Sequence, residues 1–222
     1  MLKNPIIISK YKNNLLTSKT YNEYISNNNN PFGITNPVTL KKVYELETNK
    51  PIADFPVSNW SDISLPNFGQ LDSRMKSKIE VFNRDGNSNV LEFSKSNDVH
   101  TVYIWGYNKT KVIAEIENID YVSIPTTTIT NLQALSDADN DNCRDATCKE
   151  QLLRVALNDL RVAFPNAMIT TYTHDYLVGV TSITNPRGES VYYEYDTSNR
   201  LKLVRDQNGN ILSENEYNYK NQ

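Results

Sequence analysis

Cysteine and histidine each occur only twice in the 222 residues, which removes most metal chemistry from consideration. A structural zinc site takes four nitrogen or sulfur ligands. Cys143 and Cys148 lie near each other, but His100 and His174 are both far from them along the chain. Long apolar runs are missing too. Ile6-Ile7-Ile8 is three residues long, whereas a secretory core needs about 7–15, and no stretch approaches the roughly 18 apolar residues that suggest a membrane-spanning helix. Basic residues do not cluster: 23 Lys and Arg stand against 26 Asp and Glu, for a formal charge of −3. Nucleic acid is therefore not an expected partner, and the Tyr/Lys alternation at Tyr217–Lys220 reads as surface pairs on a strand. No Gly-x-Ser-x-Gly elbow, glycine-rich phosphate loop or His-Glu-x-x-His occurs, so neither a catalytic site nor a cofactor is expected.

Core-forming residues are also sparse. Hydrophobic residues make up 38%, and about 35% if glycine is counted in place of tyrosine, against about 45–50% for ordinary globular chains. That suits a thin sheet with a wet face, or a piece of a larger sheet. Disorder is the competing reading, but 14 Tyr, 6 Phe and 2 Trp set in alternating runs argue for folded strands.

What the chain does have is a pattern written twice between Tyr172 and Tyr219. The clearer copy runs Tyr193-Glu194-Tyr195-Asp196, Asn199-Arg200-Leu201, then Val204-Arg205-Asp206-Gln207-Asn208-Gly209. Twenty-one positions earlier stand Tyr172, Asp175, Val180, Ile183, Asn185 and Gly188. Apolar and aromatic residues at alternate positions make strands. Asp196 can turn its carboxylate onto backbone N–H groups two residues on, Asn199 tolerates a left-handed backbone, and Asn208-Gly209 is a tight-turn signal. One hairpin cannot bury a face alone, so neighbouring hairpins must stack into a sheet.

The Tyr-x-Tyr-Asp-x-x-x-Arg-Leu-x-x-Val-x-Asp-x-x-Gly spelling from Tyr193 to Gly209 resembles the YD repeats of the RHS family. The first copy departs from it, with His174 for the second tyrosine and Gly179 for the arginine. The resemblance implies β-hairpins wound into part of a hollow shell, on a bacterial surface or around a toxin; teneurins are animal relatives. It implies a secreted or cell-surface protein of Bacteroidetes type, in which this chain is the C-terminal portion of a longer repeat array. Its partners would then be the remaining repeats or another protein. The end at Tyr219–Gln222, a strand's length past the repeat, leads to the expectation that no toxin domain follows.

The expected fold is mainly β: stacked antiparallel hairpins, an RHS/YD-type sheet or partial shell, with a helical-hairpin insertion. Three segments are expected in one sheet, with residues 1–123 as β-hairpins, 124–165 as the insertion and 166–222 as the tandem repeat. Within the first, Asn27–Asn30 and Pro31 break short strands, Val38–Phe55 reads as a hairpin turning at Thr48–Pro51, and Pro56–Gly69 as a loop. Asp85-Gly86 turns the chain between two further strands, and Val99–Trp105 pairs with Val112–Glu117. Leu153, Leu157, Leu160 and Phe164 recur at i, i+4, i+7 and i+11, one stripe of a helix. A shorter helix is expected over Thr127–Leu135, and Pro165 closes the insertion.

Between those helices, Asp137, Asp139, Asp141 and Asp145 occupy positions 1, 3, 5 and 9 of a calcium loop. Asn142 stands where glycine is required and Cys148 where a bidentate glutamate belongs, so the alternative is a solvated acidic loop meeting the next helix's N-terminus. In an exported protein Cys143 and Cys148 would form a disulfide, and in a cytosolic one they would be free. His174-Asp175 cannot act as an acid/base pair, because strand neighbours point to opposite faces, and Ser182 or Ser190 has no partner set as a nucleophile. The leading expectation is a non-enzymatic structural and interaction module. The alternative is an adhesin that stacks sugars on exposed tyrosines, Trp60 or Trp105; a calcium-dependent protein or enzyme is the third.

Overall fold

The computed structural model describes residues 7–26, 38–55, 71–96, 98–141, 143 and 145–218. Asn27–Pro31, Pro56–Gly69 with Trp60, Asn142 and the last four residues lie outside them. The chain divides into two compact units, Met1–Val99 and His100–Gln222.

The first unit holds strands β1 (Ile7–Lys12), β2 (Leu15–Ser26), β3 (Val38–Leu46), β4 (Met75–Arg84) and β5 (Val90–Lys95). Each pairs antiparallel with the next. β1 and β2 are joined by Asn13-Asn14, both left-handed at φ 51° and 62°, as a two-residue hairpin turn with the sheet's own twist requires. The core is small: Tyr21 and Met75, packed by Tyr44, Leu46, Phe55 and Leu71. The hairpin expected over Val38–Phe55 does not form. β3 is flanked by β2 and β4, and Ile52 instead exchanges two backbone bonds with Leu16, of 2.7 and 3.0 Å. Pro51 lacks the N–H that a returning strand would need, and both edges of β3 are already taken.

The second unit starts with β6 (His100–Gly106) and β7 (Lys111–Glu117). Helices α1 (Thr126–Ala138) and α2 (Lys149–Ala163) follow, then β8 (Met168–Asp175), β9 (Gly179–Thr184), β10 (Ser190–Tyr195), β11 (Leu201–Asp206) and β12 (Ile211–Glu214). Strands of this unit also pair antiparallel in sequence order, β7 taking β8 across the helical insertion. The helical stripe lands where its spacing puts it. Leu153, Leu157 and Leu160 are buried with Ile129 and Leu132 against Val102, Ile104, Ile113, Ile116 and Ile169, while Phe164, just past α2, packs at the margin. Each such side chain contributes roughly 1.5–3 kcal/mol by leaving water. Hydrophobic burial therefore concentrates where the helices cover β6–β8. The last strand lacks it, with Ile211 51% and Leu212 58% exposed.

Candidate functional site

The repeat owes its turns to one short design. Asp196 receives the N–H groups of Ser198 at 2.8 Å and Arg200 at 3.0 Å on Oδ1, its C=O receives the Asn199 N–H, and its own N–H reaches the Arg200 C=O. Asp206 does the same with Asn208, Asn210 and Gly209. So do Asn185 with Arg187, Glu189 and Gly188 and, in the first unit, Asp85 with Asn87, Asn89 and Ser88. In each, the fourth residue is left-handed: Ser88, Gly188, Asn199 and Gly209 at φ 68°, 84°, 59° and 86°. This is a type I turn closed by a left-handed bulge residue, fastened by an Asx side chain. The second residue's N–H is unused, so Pro186 fits there without loss. The tight turn expected at Asn208-Gly209 is thus the end of a three-residue loop begun by Asp206. At Asp85-Gly86, Gly86 holds an unstrained position and Ser88 carries the left-handed bend. The first and fifth side chains also bond, most strongly where Arg200 Nη2 meets Asp196 Oδ2 at 2.6 Å, which holds the Asp196 carboxyl below its usual range.

In the pairs β9–β10 and β11–β12 the end away from the Asn185 and Asp206 turns is closed by a ring, and β7–β8 has a like closure opposite the helical insertion. Tyr195 donates its hydroxyl to the Val180 carbonyl at 2.9 Å, and Tyr217 to the Leu201 carbonyl at 3.0 Å. His174 reaches the Val112 carbonyl with Nε2 at 3.0 Å. Since a carbonyl only accepts, Nε2 carries the proton. Burial pushes the pKa of this ring down, so it stays neutral. These closures account for the departures of the first copy. His174 does the work of a tyrosine, and Gly179 replaces arginine because a Cβ there would lie 2.6 Å from the Tyr195 Oη. One repeat later the space is roomier, and Arg200 stacks on the Tyr217 ring at 4.4 Å. Tyr172, the other tyrosine of that copy, bonds Glu115 at 3.2 Å; burial first, then that carboxylate, raises its pKa to about 12.

The four aspartates of the acidic loop go to different partners. Tyr107, Asn108 and Lys109 are all left-handed, at φ 50°, 56° and 59°, a costly run for residues with a Cβ. The end of α1 holds it. Ser136 Oγ accepts the Tyr107 N–H at 3.1 Å, Asp137 accepts the Asn108 N–H at 2.6 Å, and Asp139 accepts the Tyr107 hydroxyl at 2.7 Å. Gly106 is needed for this approach, since a Cβ there would meet Ser136 Oγ at 2.2 Å. Asp141 caps α2 through the N–H groups of Lys149 and Glu150 at 3.0 and 3.2 Å, while Asp145 is exposed and offers its C=O to the Cys148 N–H. Cys143 and Cys148 form a disulfide with Cα atoms 5.9 Å apart, pinning the loop to the first residue before α2.

Three polar clusters were not legible as such in the sequence. Tyr107, 2% exposed, also receives the His174 N–H at 2.9 Å, joining α1, β8 and the turn before β7. Desolvation, with Glu150 nearby, raises Asp139 to about 6, although the Tyr107 bond opposes it. Glu150, wholly buried, takes Arg154 Nη2 at 2.8 Å and the Thr181 hydroxyl on one oxygen. In the first unit, buried Lys19 meets Asp54 at 2.6 Å and the Phe55 carbonyl, and with Tyr11 it lowers Asp54 to about 2. A cleft of about 350 Å³ brings His174 and Asp175 beside Asp139 and Asp141. There His174 Nε2 is spent on Val112, Asp139 on Tyr107 and Asp141 on α2. Trp105 is half-buried, edge-on to Tyr103 with ring centroids 6.5 Å apart. Among the described residues, no helix is long and apolar enough to cross a membrane.

Fold and closures together define the class: a mainly β protein of consecutive antiparallel hairpins, one of them carrying a helical hairpin in place of its turn. No protein-family model matches the chain, and no curated protein matches its sequence. Among solved structures, a TcdB2-TccC3-Cdc42 complex is similar with a TM-score of 0.42 and 10% identity, over 86% of this chain and 7% of that one. TcdB2-TccC3 without its hypervariable C-terminal region gives 0.43 and 10%, over 90% and 8%. The chain thus spans under a tenth of the length of either.

Proposed function

We propose that this chain is a non-enzymatic structural and interaction module, the terminal part of an exported RHS-type β-shell. The observation that carries this reading is the double closure of the 21-residue unit, an Asx-fastened turn at one end and a ring-to-carbonyl bond at the other. A unit closed locally at both ends can be added without redesigning its neighbours. β12 pairs with β11 alone among the described strands, which leaves its outer backbone edge open to a strand of another protein. In the cleft at β8, His174, Asp139 and Asp141 are engaged with backbone or with Tyr107, which supports a scaffold over an enzyme. Export and surface location rest on the resemblance of the Tyr193–Gly209 spelling. The test is to duplicate residues 190–210 after Asn210. Two new strands whose amides resist hydrogen exchange like those of β10 and β11, with an unchanged or raised melting temperature, are expected; an insert that exchanges freely or unfolds the second unit would count against the proposal.

A further inference from the structure

Beside α2, above β8, β9 and β10, runs a groove of about 280 Å³ whose lining includes two arginines, several hydroxyls and Tyr192, but no carboxylate. That imbalance is unusual in a chain of net charge −3. Arg154 is already neutralised by Glu150 at 2.8 Å; its Nε donates to Ser182 Oγ at 3.2 Å, and it stands 5.2 Å from the Tyr192 ring. Arg161 is different. From the last turn of α2 its Nη2 reaches the Ile169 carbonyl at 3.1 Å, Thr171 Oγ1 at 3.4 Å and the Thr184 carbonyl at 3.5 Å. Nη1 meets the Asn158 side-chain carbonyl at 3.4 Å, and Nε is buried without an acceptor. All of these partners are neutral. Burial pulls the pKa of this guanidinium down, with no anion among the described residues to offset it. A half-buried cation without a counter-ion is costly, and a strut between helix and sheet would need only a neutral donor.

We propose that this groove binds an oxyanion, a phosphate, sulfate or carboxylate group on a small polar ligand, with Arg161 as the charge that holds it. Such a group would supply the missing counter-ion and an acceptor for the second Nη1 N–H, which Asn158 leaves unused, through a charge-assisted bond. Arg154 and the Ser190 and Thr184 hydroxyls, themselves paired at 2.8 Å, border the same space, which is large enough for a monosaccharide-sized ligand. The inference does not depend on the shell role: it concerns a binding site, and a scaffold could carry it or lack it.

The test follows the Arg161 Nε–Hε signal by NMR while sodium phosphate, sulfate or glucuronate is added at constant ionic strength, with sodium chloride and glucose as controls. A saturable shift with a dissociation constant on the order of 1 mM is expected for at least one oxyanion. Preference for phosphate and sulfate would mark a tetrahedral ligand, and preference for glucuronate an acidic sugar. Arg161→Gln removes that reporter, so in this variant the titration is read at the backbone amides of Thr184 and Ser190, which line the same groove, and their shifts should be abolished. Because that change could also loosen α2, Asn158→Asp provides the second variant: it puts a carboxylate on the exposed side of Arg161 and should weaken binding at least tenfold without lowering the melting temperature. No saturable shift with any oxyanion, an equal shift with chloride, or unchanged affinity in Asn158→Asp would overturn the proposal.

Discussion

Replacing Tyr107 by phenylalanine removes one oxygen from the centre of the second unit and leaves two groups stranded. The His174 N–H, 2.9 Å from that oxygen, loses its acceptor, at a cost of about 1–3 kcal/mol for a buried polar group. Asp139, 2.7 Å away, loses the donor that partly offsets its burial, and a bond to a charged group is worth about 1.5–3 kcal/mol. Together the substitution should cost about 3–5 kcal/mol near neutral pH. The penalty must depend on pH. Asp139 titrates at about 6 in the folded chain against an ordinary 3.8, so its neutral form favours the fold. That contribution is complete below about pH 3.8 and is lost as pH rises to about 6. At pH 4.5 the stranded carboxyl is already protonated and only a neutral bond is missing, so the cost should fall by about 1–2 kcal/mol. Guanidinium unfolding of both proteins at pH 4.5 and 7.5 measures this. A loss below 1 kcal/mol at pH 7.5, or an equal loss at both, would refute the reasoning.

Gly188 sits at φ +84° with open space where a Cβ would point, so Gly188→Ala should cost about 1–2 kcal/mol in denaturant unfolding by backbone strain alone, and Gly188→Asn less, since Asn199 holds the matching place in another turn. Tyr195→Phe should cost about 0.5–1.5 kcal/mol through the lost bond to Val180. Gly179→Ala displaces the same hydroxyl, so a double-mutant cycle should give less than the sum, and strict additivity would show that the two do not share a contact. Cys143→Ser, or reduction of the disulfide, should lower stability by about 2 kcal/mol, the loop-closure value for so short a ring, read as a fall in melting temperature in reductant.

The parts of the fold that sequence discloses are those set within a few residues. Asp196 and Asn199 announce their turn because acceptor, donors and left-handed residue lie inside a five-residue span. Leu153, Leu157 and Leu160 announce α2 because helical spacing alone places them together. Alternation shows that 38–55 contains a strand but not which neighbours it takes, and the pairing of Ile52 with Leu16 depends on β4 claiming β3 first. Asn13-Asn14 is a hairpin signal of the same local kind, a left-handed pair between two strands. Longer-range chemistry leaves no local trace. Tyr107 meets Asp139 and His174 across 32 and 67 positions, Lys19 meets Asp54 across 35, and Gly179 looks like a defect until Tyr195 lies over it. Arg161 reads as an ordinary last-turn cation, because its lack of an acidic partner among the described residues appears only once the groove is assembled.

Amide hydrogen exchange at single-residue resolution shows whether one turn design recurs along the chain. In the turns beginning at Asp196 and Asp206, the amides of the first, third, fourth and fifth residues should be protected, and those of Thr197 and Gln207, the second, should exchange freely. Asp196→Ala and Asp206→Ala should release the third and fifth in their own turns alone. Two turns with different protection patterns, or protection that survives loss of the aspartate, would contradict the account.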